Sequence, residues 1–197
     1  AAALAELEPL ETSLVRDTTI VAAADDRSGA YISLLGVHDE TKDREAHLRV
    51  AEEWATFLEG QAARARTPDQ RAVFDAHRCS EYLELGHPER GLAMLQQSER
   101  DLPDDYNPPA RLSNLLRALK RWDEAIAAND RAMAKAYGPR KLLLYNYRVD
   151  ILAGRGDQAG ARSTLAEALA YAKALPEGQR SNATIAGLEK RLSAASK

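Results

Sequence analysis

A single cysteine, Cys79, stands in the 197 residues. It has no partner for an intrachain disulfide, and every Cys-x-x-Cys redox or zinc motif is excluded. An excess of one charge is also lacking: Lys and Arg total 27 against 30 Asp and Glu, a formal net of −3. Without a basic field the chain has nothing to hold a phosphate backbone, which argues against nucleic acid as a partner. No run of ~18 apolar residues occurs, so no membrane insertion is expected. Gly-x-Gly-x-x-Gly, P-loop and Gly-x-Ser-x-Gly patterns are missing too, and with them the usual phosphate cradles and nucleophile elbows. Strand formers are scarce. There are 6 Val, 5 Ile and 2 Phe against 37 Ala and 26 Leu. Ala and Leu are strong helix formers, whereas β-branched and aromatic residues fill strands, so the chain reads as all-α.

Ala1 opens the chain without a methionine, and AAALAELEP has no basic n-region. A fragment or a processed chain is expected. Pro, Gly and Asp clusters then mark the helices. One helix is expected from after Pro9 to about Ala24, ending at Asp25-Asp26-Arg27-Ser28-Gly29, and a second over Ala30–Val37. A long one covers Lys42–Ala65, with Leu48, Ala51, Ala55, Leu58 and Ala62 on one face. Thr67-Pro68 is an N-cap and N1 pair opening a helix to Leu85. Further helices are expected from Pro88 to Leu102, Ala110–Leu119, Trp122–Ala136, Arg140–Ala153, Gln158–Leu175 and Ser181–Ala194. The turns are short, which forces neighbouring helices antiparallel. Two regions follow: N-terminal helices over residues 1–66, and regular repeats with a C-terminal capping helix over 67–197.

Three segments align on a small residue near the start of a helix: Gly91, Ala125 and Ala161. Their spacings are 34 and 36 residues, and such a period marks a stacked-repeat architecture. The carrying residues are Gly86, Gly91, Leu95, Ser98 and Pro103; then Leu112, Leu116, Trp122, Ala125 and Ala132; then Gly156, Ala161, Leu165 and Ala168. This pattern resembles the tetratricopeptide repeat (TPR) family over residues 72–175. The family's first-helix aromatic falls on Pro109, and its first-helix glycine on Cys79, Ser113 and Val149. The resemblance implies a right-handed α-solenoid of antiparallel helix pairs that binds a protein or peptide segment. Separately, DLPDDYNPPARL followed by YGPRK resembles the helical-repeat region of some bacterial thioredoxin-family proteins. That would make the chain an accessory domain whose catalytic cysteines lie outside it.

Most chemistry-bearing residues have a simpler packing role. Cys79 occupies a small-residue position, and His77 and His87 do not share its helix face, so it reads as a buried small residue. His38, His47, His77 and His87 make no i,i+4 pair, so zinc has nothing to build on. Asp25-Asp26, Asp39-Glu40 and Asp104-Asp105 lack calcium-loop spacing and read as acids before helix N-termini. Trp54 and Trp122 read as core or inter-repeat wedges. No cofactor, metal or catalytic site is expected.

The candidate site is the inner face lined by the first helix of each pair. It carries Asn107, Arg111, Asn114 and Arg117 from one pair and Asn146 and Asp150 from the next, with Arg148 close by. Asn can pair with an extended peptide's amides, and Arg can take a carboxylate. The TPR clamp for a chaperone's C-terminal carboxylate wants Lys and Asn where this chain has Ala76 and Ser80, so that ligand is not expected.

Overall fold

A computed structural model describes the backbone of residues 2–17 and 19–195 and the side chains of residues 6–17 and 19–195. Among the described residues there are helices and turns and no strand. The helices are α1 (Ala2–Arg16), α2 (Ala24–Thr41), α3 (Arg44–Arg64), α4 (Pro68–Ala72), α5 (Asp75–Glu84), α6 (Leu92–Asp101), α7 (Asn107–Ala118), α8 (Trp122–Lys135), α9 (Arg140–Arg155), α10 (Gln158–Ala174) and α11 (Asn182–Ala194). Pro88–Gly91 and Glu177–Gln179 form 3₁₀ turns before α6 and α11.

The local causes are visible at the helix ends. Thr67 Oγ1 accepts from Gln70 N at 3.3 Å, with Pro68 at N1. Asp157 Oδ1 accepts from Gly160 N at 2.8 Å, and Ser181 Oγ from Thr184 N at 3.3 Å. Each satisfies a donor that the first helical turn leaves orphaned. Gly156, at φ +93°, closes α9 in the left-handed region where a Cβ is strained.

The first hundred residues depart from expectation in several places. Asp25-Asp26-Arg27-Ser28-Gly29 is the opening of α2, not a break. Asp25 and Asp26 sit in its first turn, where the helix dipole favours negative charge. The break falls earlier, after Arg16, because Asp17 Oδ1 accepts from both the N–H (2.8 Å) and the hydroxyl (2.6 Å) of Thr19 and turns the chain. Arg27 then closes this turn, donating to the carbonyls of Leu14 (2.6 Å), Asp17 (3.2 Å) and Ile20 (2.5 Å). The expected helix 68–85 is split at Val73-Phe74, and Phe74 packs against the core of the first three helices.

The chain forms two compact units, divided between His87 and Pro88. In the first, α1, α2 and α3 enclose Val15, Tyr31, Leu34, Val50, Trp54 and Leu58. Trp54 stacks on Tyr31, touches His77, and donates its indole N–H to Ser28 Oγ at 3.3 Å. It is a core residue. Asp39-Glu40 does not precede a helix start but lies in the last turn of α2, where the dipole does not favour acids.

In the second unit α7 pairs with α8, α9 pairs with α10, and α11 packs on α10. The repeat register is also the burial register. Gly91, Ala125 and Ala161 are buried, as are Ser98, Ala132 and Ala168 seven residues on. Between them lie Leu95, Asn129 and Leu165, all buried. Asn129 is the polar exception. Its Nδ2 donates to the Leu144 carbonyl of α9 at 3.0 Å, while its Oδ1 is buried without a partner. Trp122 is the expected inter-helix wedge: its ring lies so close to Gly154 of α9 that a Cβ there would sit 2.7 Å from it.

Candidate functional site

Among the residues expected on the inner face, Asn107, Arg111 and Asn114 share a stripe of α7 and Asn146 and Asp150 a stripe of α9, while Arg117 stands off the first stripe. On α7, Asn107, Arg111, Asn114 and Ala118 recur at three- and four-residue steps, and all keep some solvent exposure. The flanking face of α7 buries Leu112, Leu115 and Leu116. On α9 the corresponding stripe is Leu143, Asn146 and Asp150. Each helix commits its most apolar face to its pair partner, leaving the exposed stripe mostly polar.

The hydrogen bonds sort the candidates. Asn107 is held by Asp105, whose Oδ1 accepts from Asn107 N (2.9 Å) and Nδ2 (2.8 Å). Arg117 forks onto Asn114 Oδ1 through Nε (3.1 Å) and Nη2 (2.8 Å). Asn146 Oδ1 accepts from Arg191 Nη1 at 2.7 Å, and Asp150 Oδ1 lies 3.5 Å from Arg191 Nη2. Arg111 lies on the same stripe and has no hydrogen bond or ion pair among the described residues. Arg148, expected nearby, turns away and pairs with Asp130 of α8.

Two features of this row were not foreseen. Arg191 of α11 reaches Asn146 and Asp150 of α9. The spacing holds a signal for this: Asn114 and Asp150 are 36 residues apart, and one further period falls within α11. Leu143, half exposed, gives the row an apolar element beside Asn146.

A second polar cluster lies in the first unit, where α2 and α5 flank α3. The ring of His47 is buried between two carboxylates, with Asp39 Oδ1 2.8 Å from Nδ1 and Glu84 Oε1 3.2 Å from Nε2. Neither approach is aligned as a hydrogen bond. Glu84 also pairs with Arg44, which holds its carboxyl below the usual range. Beside it Glu81 is buried, and the loss of hydration, followed by the Glu84 charge, pushes its pKa up to about 7. Among the described residues no group of three or more His, Cys, Asp or Glu is arranged to hold a metal ion. No described helix is long and apolar enough to cross a membrane.

No family model matches the chain, and no characterised protein matches its sequence. Solved structures do. TTC0263, a thermophilic TPR protein of Thermus thermophilus, aligns over 98% of this chain and 98% of its own at TM-score 0.56 and 17% identity. YrrB, described as a TPR protein with an unusual peptide-binding site, aligns over 96% and 86% at TM-score 0.51 and 13% identity. The fold is that of TPR proteins. BtubC (BKLC) of P. vanneervenii also aligns, over 98% of this chain and 80% of its own at TM-score 0.63 and 15% identity. The TPR-like helix pairs thus agree with the 34- and 36-residue register, and nothing in these comparisons bears on a thioredoxin-linked parent.

Proposed function

We propose that the chain is a non-catalytic helical-repeat module that holds an extended protein or peptide segment along the inner row of α7, α9 and α11. The observation that carries this reading is Arg111. It projects from the polar stripe with its guanidinium uncommitted, while Asn107, Asn114, Arg117, Asn146 and Asp150 around it are fixed by internal bonds. A planar fork with five donors suits a carboxylate of the segment. Asn114 and Asn146 offer amides to its backbone, and Leu143 offers apolar contact. The peptide-binding site in the description of YrrB fits the same reading.

The test is a tiled peptide library screened against the full chain, followed by calorimetry on the best binders. Arg111→Glu is expected to weaken binding at least thirtyfold, the effect of a hot-spot loss of ~2 kcal/mol. Asn114→Ala, Arg117→Ala and Asn146→Ala should weaken it less, each after a check that the variant is folded. Arg162→Glu, on the exposed side of α10, should leave it unchanged. If the inner-row variants bind like the parent while Arg162→Glu abolishes binding, the assignment of the face is wrong.

A further inference from the structure

The cluster in the first unit surrounds an open pocket of about 460 Å³, within the range of ~300–1,000 Å³ usual for ligand sites. One wall is a single stripe of α2: Ile32, Leu35, Gly36 and Asp39. The floor is His47 and Trp54 of α3, and the far wall is Ser80, Glu81 and Glu84 of α5. Ile32 is half exposed, and a Cβ on Gly36 would meet nothing within 4 Å. The apolar half of the pocket is therefore unfilled.

The charged half is acidic, and its acids are not equivalent. Asp39 faces His47. Glu84 is engaged by Arg44 and His47. Glu81 is 5% exposed, lines the same pocket, and has a buried Oε2 with no hydrogen-bond partner. Taking a carboxylate out of water without a partner is costly, and buried charges in folded proteins are ordinarily paired. The pocket lies against this carboxyl. The titratable groups that line the pocket with Glu81 are Asp39 on α2, His47 on α3 and Glu84 on α5, and Arg44 of α3 pairs with Glu84. An anion would meet three carboxylates, whereas a cation on an aliphatic stem would meet both halves.

We infer that this pocket receives the side chain of a lysine or arginine from a bound peptide segment, with its methylenes on Ile32 and Leu35 and its charged end at the Glu81 carboxyl. This rests on the peptide-binding reading and adds a separate subsite with its own chemistry. The cation supplies the partner that Glu81 lacks, and the long stem covers the apolar wall, as such side chains do elsewhere. A cation beside Glu81 favours its ionised form, so seating the side chain expels a proton when Glu81 starts protonated.

The experiment uses the full chain and n-butylammonium chloride as a side-chain probe, with n-butanol as the uncharged control at matched ionic strength. The indole N–H resonance of Trp54 reports on the pocket floor, and that of Trp122 serves as the internal reference. A saturable shift of Trp54 alone is expected, with n-butylammonium binding at least fivefold more tightly than n-butanol. The preference should grow several-fold from pH 6 to pH 8 as Glu81 ionises. Glu81→Gln should abolish both the preference and its pH dependence. Gly36→Leu, which fills the apolar half and leaves every charge in place, should abolish binding of both probes.

Equal binding of the two probes, a preference that survives Glu81→Gln, or no movement of Trp54 would each overturn the cation pocket. If the inner row still captures library peptides in that case, the peptide-binding reading stands without it. If n-butylammonium seats beside Trp54 but no peptide with Lys or Arg gains affinity over its norleucine counterpart, the peptide source of the cation is overturned.

Discussion

Replacing Glu81 by Gln tests the burial argument without any ligand. The carboxyl is pushed from an ordinary 4.5 up to about 7, first by burial and second by Glu84. An acid whose pKa is raised on folding holds its proton more tightly in the folded chain. Between about pH 4.5 and 7 the folded protein therefore binds more protons than the unfolded one, and stability falls as pH rises through that window. At ~1.4 kcal/mol per pKa unit, the charged form costs about 3 kcal/mol above the window and nothing below it. Gln keeps the shape and cannot ionise, so that loss disappears. The assay is urea unfolding of parent and Glu81→Gln at pH 4.5, 6, 7 and 8.5, followed by tryptophan fluorescence. The variant should match the parent within about 1 kcal/mol at pH 4.5 and exceed it by ~2–3 kcal/mol at pH 8.5. His47 and the other titrating groups are common to both proteins and largely cancel in the difference. A difference that does not change with pH would show that Glu81 is hydrated or paired in solution, and the pocket argument would fall with it.

Three further outcomes follow from the packing. Ala125 of α8 is fully buried, so Ala125→Leu should overpack its surroundings and cost ~1–3 kcal/mol in thermal unfolding; an unchanged melting curve would put the wrong face inward. Gly154→Ala places a methyl 2.7 Å from the Trp122 ring, and a loss of ~1–3 kcal/mol with a changed Trp122 emission is expected, whereas a stabilised variant would mean that the ring moves aside freely. Cys79 is buried and should react with a thiol reagent far more slowly in the native chain than in urea; a free-thiol rate under native conditions would refute that placement.

The second half of the fold was legible because its punctuation is local. Pro139, Gly156, Asp157 and Ser181 act on the turn in which they stand, and the helices bounded by them fall within two residues of expectation. Asp25-Asp26 misled because two acids beside a glycine suit both a turn and the first turn of a helix. What decided between them was Arg27 reaching the carbonyls of Leu14 and Ile20, a contact that no spacing rule carries. A part-exposed polar stripe on α7 and on α9 was legible, since burial there follows helical period. Its internal bonds were not, because Arg191 lies 45 residues from Asn146. The cluster at His47 was missed for the same reason. Asp39, His47 and Glu81 come from three helices, and each looks ordinary on its own.

The buried amide of Asn129 makes one junction in the stack unlike its equivalents. Leu95 and Leu165 fill the same repeat position with side chains that can slide along an apolar neighbour at little cost. Asn129 must meet one particular carbonyl, that of Leu144, or leave both of its polar atoms stranded. A slip of α8 along α9, or a swap of neighbouring repeats, would break that bond and gain nothing in return. The chain thus carries, within a degenerate repeat, a mark that tells the α8–α9 junction from the others and holds it in a single alignment.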